Sequence, residues 1–333
     1  MQKTAETTAR IEASLSLLAP NYRDCHLCPR DCHVDRREGE RGFCGVGTLP
    51  IVSHYCLHFG EEPPLSGYHD YKKRDRTESS LSGSGTVFFA GCNLKCSFCQ
   101  NYQISWKAQG DPVSPERLAS IFLLLQEMGA ANINLVTPTH VILPILEALG
   151  EALAQGLNIP VVYNTSAYDS PETIRNLAGI IDIYLPDLKY IRRETARRFS
   201  KASDYPQRAT EAIQEMYRQV GDLQVDNQGN ARSGLIIRHL ILPGFSDESC
   251  AILEWIAGNL SIEVCISLMS QYQPTKHAPA KINRGISQQE YDAVLGKAEE
   301  LGFENVYLQP YPFKAEDHLS PDFSRNNPFD WDV

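Results

Sequence analysis

The sequence predicts an α/β fold built on a largely parallel sheet, open or closed. Three observations carry this. Short apolar runs at 86–90, 133–137, 161–164, 181–185, 235–241 and 263–268, with another at 305–308, read as buried strands. Helical stretches at 115–129, 142–155, 171–178, 206–220, 247–258 and 287–301 alternate with them. Alternation of this kind joins parallel neighbours, and six or seven units fall short of the eight of a closed barrel.

Composition sets the outer bounds. The chain has 333 residues, 42% of them hydrophobic, enough for one large α/β domain with an appendage. Its net charge of −10 argues against nucleic-acid or anionic-membrane partners. The basic runs Lys72-Lys73-Arg74, Arg192-Arg193 and Arg197-Arg198 are interleaved with acids and read as solvated surface. Met1 to Tyr22 shows no charged-then-apolar signal pattern, and no run approaches 18 apolar residues. Eight of the ten cysteines fall within the first 99 residues. Clustered cysteines without an export signal predict metal or cluster ligands in a reducing cytoplasm.

The N-terminal segment, 1–60, opens with a helix on which Ile11, Leu15 and Leu18 share a face. Cys25, Cys28, Cys32 and Cys44 follow at C-x2-C-x3-C-x11-C, with glycines around the last. This spacing predicts a compact four-thiolate site, for which zinc and an all-cysteine cluster both fit. His26 and His33 are substitute ligands or surface histidines. Cys56 fits no spacing and reads as a small buried residue. Residues 61–85 form a loop with a polar insertion, Tyr68 to Ser82, expected to be exposed or mobile. The alternating strand–helix unit spans 86–308. The tail, 309–333, holds prolines at 310, 312, 321 and 328 and cannot be one helix. It is expected to strap over that unit or to remain disordered.

Immediately after the apolar run Val87-Phe88-Phe89-Ala90 stand Cys92, Cys96 and Cys99, at C-x3-C-x2-C. Three thiolates hold three corners of an iron–sulfur cube, leaving one iron open to an exogenous ligand. The alternative is a zinc or structural cluster loop that takes a fourth ligand elsewhere. The loop resembles the signature of the radical S-adenosylmethionine (radical SAM) enzymes, including the aromatic Phe98 before the third cysteine. That resemblance implies a [4Fe–4S] cluster whose open iron binds S-adenosylmethionine and cleaves it reductively to a 5′-deoxyadenosyl radical. It also implies a partial (β/α)6 barrel, carrying here a cysteine-rich metal-binding extension and an irregular tail. Phe98 and Asn101 would lie beside the cofactor. Relatives of the pyruvate formate-lyase activating enzymes carry a similar N-terminal C-x2-C-P-x2-C motif.

Chemistry in parallel α/β folds gathers where strands end. The second strand ends Val136-Thr137-Pro138-Thr139-His140, where many radical SAM enzymes carry Gly-Gly-Glu. The resemblance implies that Thr137, Thr139 and His140 replace those contacts, with helix capping by Thr139 as the structural alternative. Asn164 aligns with an aspartate near the cofactor. Asp187-Leu188-Lys189 resembles the Asp-x-Lys motif of the activases, with Asp187 near the cofactor and Lys189 near the substrate; a surface ion pair is the alternative. Arg238, inside an apolar strand, must be paired to be tolerated. It matches an arginine that reaches the cofactor carboxylate, a task suited to a planar guanidinium. Strand alternation turns His239 to the other face.

The sequence therefore reads as a radical SAM enzyme abstracting hydrogen, with glycyl-radical activation as the specific role the resemblance implies. It would be supplied by a flavodoxin or ferredoxin and could act on a protein. Modification of a peptide or small molecule is the alternative, as is a non-catalytic iron–sulfur or zinc regulator.

Overall fold

The computed structural model describes residues 5–67, 83–309, 311, 321–325 and 327–329. The insertion Tyr68 to Ser82, together with Phe313 and Trp331 of the tail, lies outside the described residues. In chain order the strands are β1 (Ile51–His58), β2 (Ser84–Phe89), β3 (Asp111–Pro112), β4 (Ile133–Val136), β5 (Val161–Thr165), β6 (Ile183–Pro186), β7 (Gln224–Val225), β8 (Ala231–Leu240), β9 (Cys265–Met269) and β10 (Val306–Leu308).

The sheet runs β10-β9-β8-β6-β5-β4-β2-β1-β3, and β7 pairs with β8 off this path. From β2 to β10 every neighbour is parallel, which makes an α/β core of seven parallel strands. β2 and β5 are buried along their whole length, as expected of strands covered on both faces. Helices 115–127, 142–154, 171–175, 205–220, 246–259 and 288–300 connect them, within one or two residues of the expected spans except the third, which ends three residues short of the expected 171–178. The helix 115–127 starts where Ser114 caps the Arg117 amide at 3.3 Å and Pro115 takes the first position. Ser287 and Glu290 form a capping box on the last helix.

The sequence reading missed β1, which pairs antiparallel with β2 from Val52↔Phe89 to His58↔Ser84. Its burial is mixed, so neither periodicity stands out. Cys56 lies on this strand opposite Thr86, only partly buried. The described part of the tail lies against β2: Phe323 and Phe329 pack on Phe88, and Gln103 bonds both Asp322 and the Phe323 amide at 2.9 Å.

His239 faces away from the strand ends. Its Nδ1 meets the Leu188 carbonyl at 2.7 Å and its Nε2 meets Ser249 Oγ at 2.8 Å. Burial, only partly offset by the Leu188 carbonyl, pushes this ring down to about 4. His140 is pushed to about 4 for the same reason, offset by the Ala90 carbonyl. Each depressed group contributes stability that is present above the unfolded value near 6.5 and lost as pH falls toward 4. Each proton adds a slope of about 1.4 kcal/mol per pH unit. Urea unfolding between pH 7 and pH 5 should show a stability decline that His239→Gln makes shallower by about one proton. An unchanged slope in that variant would remove His239 from the account.

Candidate active site

A cavity of about 290 Å³ opens at the C-terminal ends of the parallel strands. Cys92, Cys96 and Cys99 line it, on the loop that leaves β2. Gly91 makes the turn possible with φ +82°, where a side chain would collide with the Cys44 carbonyl and Val46. Further bonds set the loop's shape: Gly91 N donates to the Ile104 carbonyl (2.9 Å) and Ser97 N to the Phe199 carbonyl (2.7 Å). The sulfurs receive their own donors. The Leu94 amide lies 3.3 Å from Cys92 Sγ, Ser200 Oγ donates to Cys96 Sγ at 3.1 Å, and Cys99 Sγ is 3.3 Å from Ser105 Oγ.

Burial, reinforced by Cys96, pushes the Cys99 thiol up to about 12, and burial raises Cys92 too. Such thiols ionise only beside strong positive charge, which an iron cluster supplies. Within the described lining the cavity offers no fourth cysteine.

Thr137, Asn164, Asp187, Lys189 and Arg238 line the same cavity, as do Phe98 and Asn101. Thr137 is held at φ +61°, a strained conformation for a β-branched residue and one typical of functional sites. Its amide donates to the Asn164 carbonyl at 2.8 Å, locking the ends of β4 and β5 together. Lys189 Nζ lies 2.6 Å from Asp187 Oδ2, with about a fifth of each side chain exposed. Burial opposes the Lys189 charge, but Asp187 outweighs it and holds the amine protonated. Ser166 Oγ and Gln271 Oε1 are buried in the lining without a hydrogen-bond partner, so the cavity presents polar atoms to a ligand.

His140 is an expected contact that this geometry does not make. It lies outside the cavity lining, and its Nε2 donates to the Ala90 carbonyl at 2.9 Å. The short 3₁₀ turn Thr139–Val141 buries the ring beneath the cysteine loop. Thr139 likewise lies outside the lining, buried 3.4 Å from Thr165 Oγ1, and caps no helix.

Arg238 arrives already paired. Its Nε donates to Glu62 Oε1 at 2.7 Å and its Nη2 to Glu62 Oε2 at 2.5 Å, and Nη2 also meets Glu61. Both glutamates line the cavity and are almost fully buried. Burial disfavours the Glu61 charge, but Arg238 and then His58 overcome this and hold the carboxyl well below the usual range. A cofactor carboxylate would therefore share the guanidinium with two resident acids. Sequence reasoning missed both glutamates. The signal was present: an arginine in an apolar strand demands a counter-charge, and Glu61-Glu62 precedes Pro63-Pro64 in a loop otherwise unassigned.

Residues 86–256 match the family model of the Radical SAM superfamily. An uncharacterized protein of Methanocaldococcus jannaschii is 32% identical over 300 residues, covering 86% of this chain and 77% of the relative. The chain belongs to the radical SAM superfamily. Members of this superfamily are enzymes that use a [4Fe–4S] cluster and S-adenosylmethionine, and the thiols, the polar lining and the open cavity fit that pair. Among solved structures, Streptococcus suis SuiB bound to S-adenosylmethionine superposes with TM-score 0.46 at 13% identity, covering 66% of this chain and 50% of that one. The enzyme anSMEcpe, bound to S-adenosylmethionine and a peptide, gives 0.44 at 10% identity, covering 63% and 56%. The chain thus spans about half the length of these two structures. Among the described residues, no helix is long and apolar enough to cross a membrane.

Proposed function

We propose that this radical SAM enzyme abstracts hydrogen from a substrate presented at the strand-end cavity. The observation that carries this reading is the trio Cys92, Cys96 and Cys99 on one wall of a cavity with no fourth cysteine in its described lining. When bound there, the cluster and S-adenosylmethionine supply reductive cleavage to methionine and a 5′-deoxyadenosyl radical. The chain's own residues orient and shield. Thr137, Asn164, Ser166 and Gln271 offer polar atoms to the cofactor. Phe98, Phe89 and Met269 exclude water from the walls. Asp187 and Lys189 hold a charged pair where a substrate would meet the cofactor. This reading puts the enzyme in a reducing cytoplasm with a flavodoxin or ferredoxin as donor.

The test is direct. After anaerobic cluster reconstitution, dithionite and S-adenosylmethionine should yield 5′-deoxyadenosine. A fully loaded cluster that gives none rules the reading out.

The Asp187-Leu188-Lys189 pair favours one substrate class, a glycine of a protein partner, over free small molecules. On that reading Lys189 faces the partner's backbone, and an added glycyl-radical enzyme should acquire an EPR doublet. Peptide modification without such a doublet would redirect the substrate assignment and leave the hydrogen abstraction in place.

A further inference from the structure

The largest set of ligand side chains outside the cavity is the N-terminal quartet Cys25, Cys28, Cys32 and Cys44. Cys25 and Cys44 are buried, and Cys28 and Cys32 are partly so. The chain wraps tightly around them. Gly42 leaves no room for a side chain beside Cys32 Sγ, and Asp31 and His33 both adopt positive φ, at 47° and 53°. Hydrogen-bond donors aim at the sulfurs: the Phe43 amide reaches Cys32 Sγ at 3.4 Å, and Arg36 Nη2 reaches Cys25 Sγ at 3.2 Å and Cys44 Sγ at 3.8 Å. Arg36 is a buried cation, as an anionic thiolate cluster requires.

Position decides between zinc and an all-cysteine cluster: zinc carries no electrons, whereas a cluster beside a site that consumes single electrons can supply them.

The quartet also sits against the open site. Arg30, between Cys28 and Cys32, donates from Nε to the Asn93 carbonyl at 2.7 Å, next to Cys92. Its other nitrogens bind the Ser200 and Lys201 carbonyls, and Ser200 Oγ touches Cys96 Sγ. On a second route, Arg36 Nη1 binds the His140 carbonyl at 2.6 Å, and the His140 ring binds Ala90, two residues from Cys92.

We infer that Cys25, Cys28, Cys32 and Cys44 hold a second [4Fe–4S] cluster, which passes single electrons across the Asn93 contact to the cluster on Cys92, Cys96 and Cys99. Both the relay and the choice of a cluster over zinc rest on the function proposed above; the iron content tests the cluster separately. A reduced one-electron carrier of low potential takes the N-terminal cluster from 2+ to 1+. That electron then takes the open cluster from 2+ to 1+, and the N-terminal cluster returns to 2+. The Arg36 and Phe43 donors stabilise the more negative, reduced state and so raise its potential.

The triple variant Cys92→Ala, Cys96→Ala, Cys99→Ala, reconstituted without oxygen, should keep about four irons per chain and give an S = 1/2 EPR signal with dithionite. Zinc in their place, or no metal, overturns the assignment. The unsubstituted chain gives an independent reading: about eight irons supports it, and about four with one zinc overturns it. Doubly reduced protein should show signals broadened by spin coupling, compared with the sum of spectra from the triple variant and from Cys28→Ser. An undisturbed sum ends the relay. Arg36→Gln should shift the second cluster's midpoint to more negative values in an EPR redox titration, and no shift overturns the role given to Arg36. Failure to form 5′-deoxyadenosine with about eight irons bound would sink the proposed function and leave the second cluster standing.

Discussion

Replacing Cys99 with serine is expected to reduce 5′-deoxyadenosine formation by at least about a thousandfold. The thiolate is one of only three protein ligands at this site, and a serine oxygen is a poor match for iron that prefers sulfur. The fold should survive, because the loop is also held by Gly91 to Ile104, Ser97 to Phe199 and Arg30 to Asn93. The informative result is therefore loss of product, with iron at the cavity lost or degraded, alongside near-native circular dichroism and melting temperature. Native-like product formation from Cys99→Ser would mean that the cofactor is activated elsewhere.

Arg238→Leu should destabilise the folded protein by about 3–5 kcal/mol at neutral pH, since it strands two buried carboxylates. The side chains concerned are only 14% exposed for Arg238 and 6% for each glutamate, so solvent screening is weak. Adding Glu61→Gln and Glu62→Gln to this variant should restore much of the loss, because the charges that needed the arginine are gone. The pH dependence has a fixed sign. With its folded pKa depressed, Glu61 contributes stability that is full above the unfolded value near 4.3 and is lost as pH falls below it. Without Arg238 that contribution disappears, so the gap between native and variant should narrow on acidification. Urea unfolding at pH 7 and pH 4 measures this. A loss under about 1 kcal/mol, or one the glutamine pair does not relieve, would mean that the acids are satisfied by other partners.

Arg238 also shows how sequence and structure divide the work. Its place in an apolar strand marked it as paired, but the resemblance offered a cofactor carboxylate as the partner. Folding instead brings Glu61 and Glu62, some 176 residues away in the chain, onto the guanidinium. Lys189 and Asp187 sit two residues apart on one strand end, so their pairing was readable locally. Ser105 and Ser200, which touch Cys99 and Cys96, carry no motif; helices 102–107 and 193–200 deliver them. His140 looked like a cavity residue because it follows a strand end, and the turn at 139–141 buries it instead.

What the sequence alone determined is local or periodic: the alternating strands and helices, three thiols within eight residues, and four more within twenty. Backbone hydrogen bonding and short loop reach enforce such features wherever the chain goes. Tertiary structure alone decided which distant charges meet, which polar groups reach the cavity, and that the two cysteine loops lie side by side. Those contacts come from packing elements far apart in the chain, and no spacing rule encodes a distance across a core.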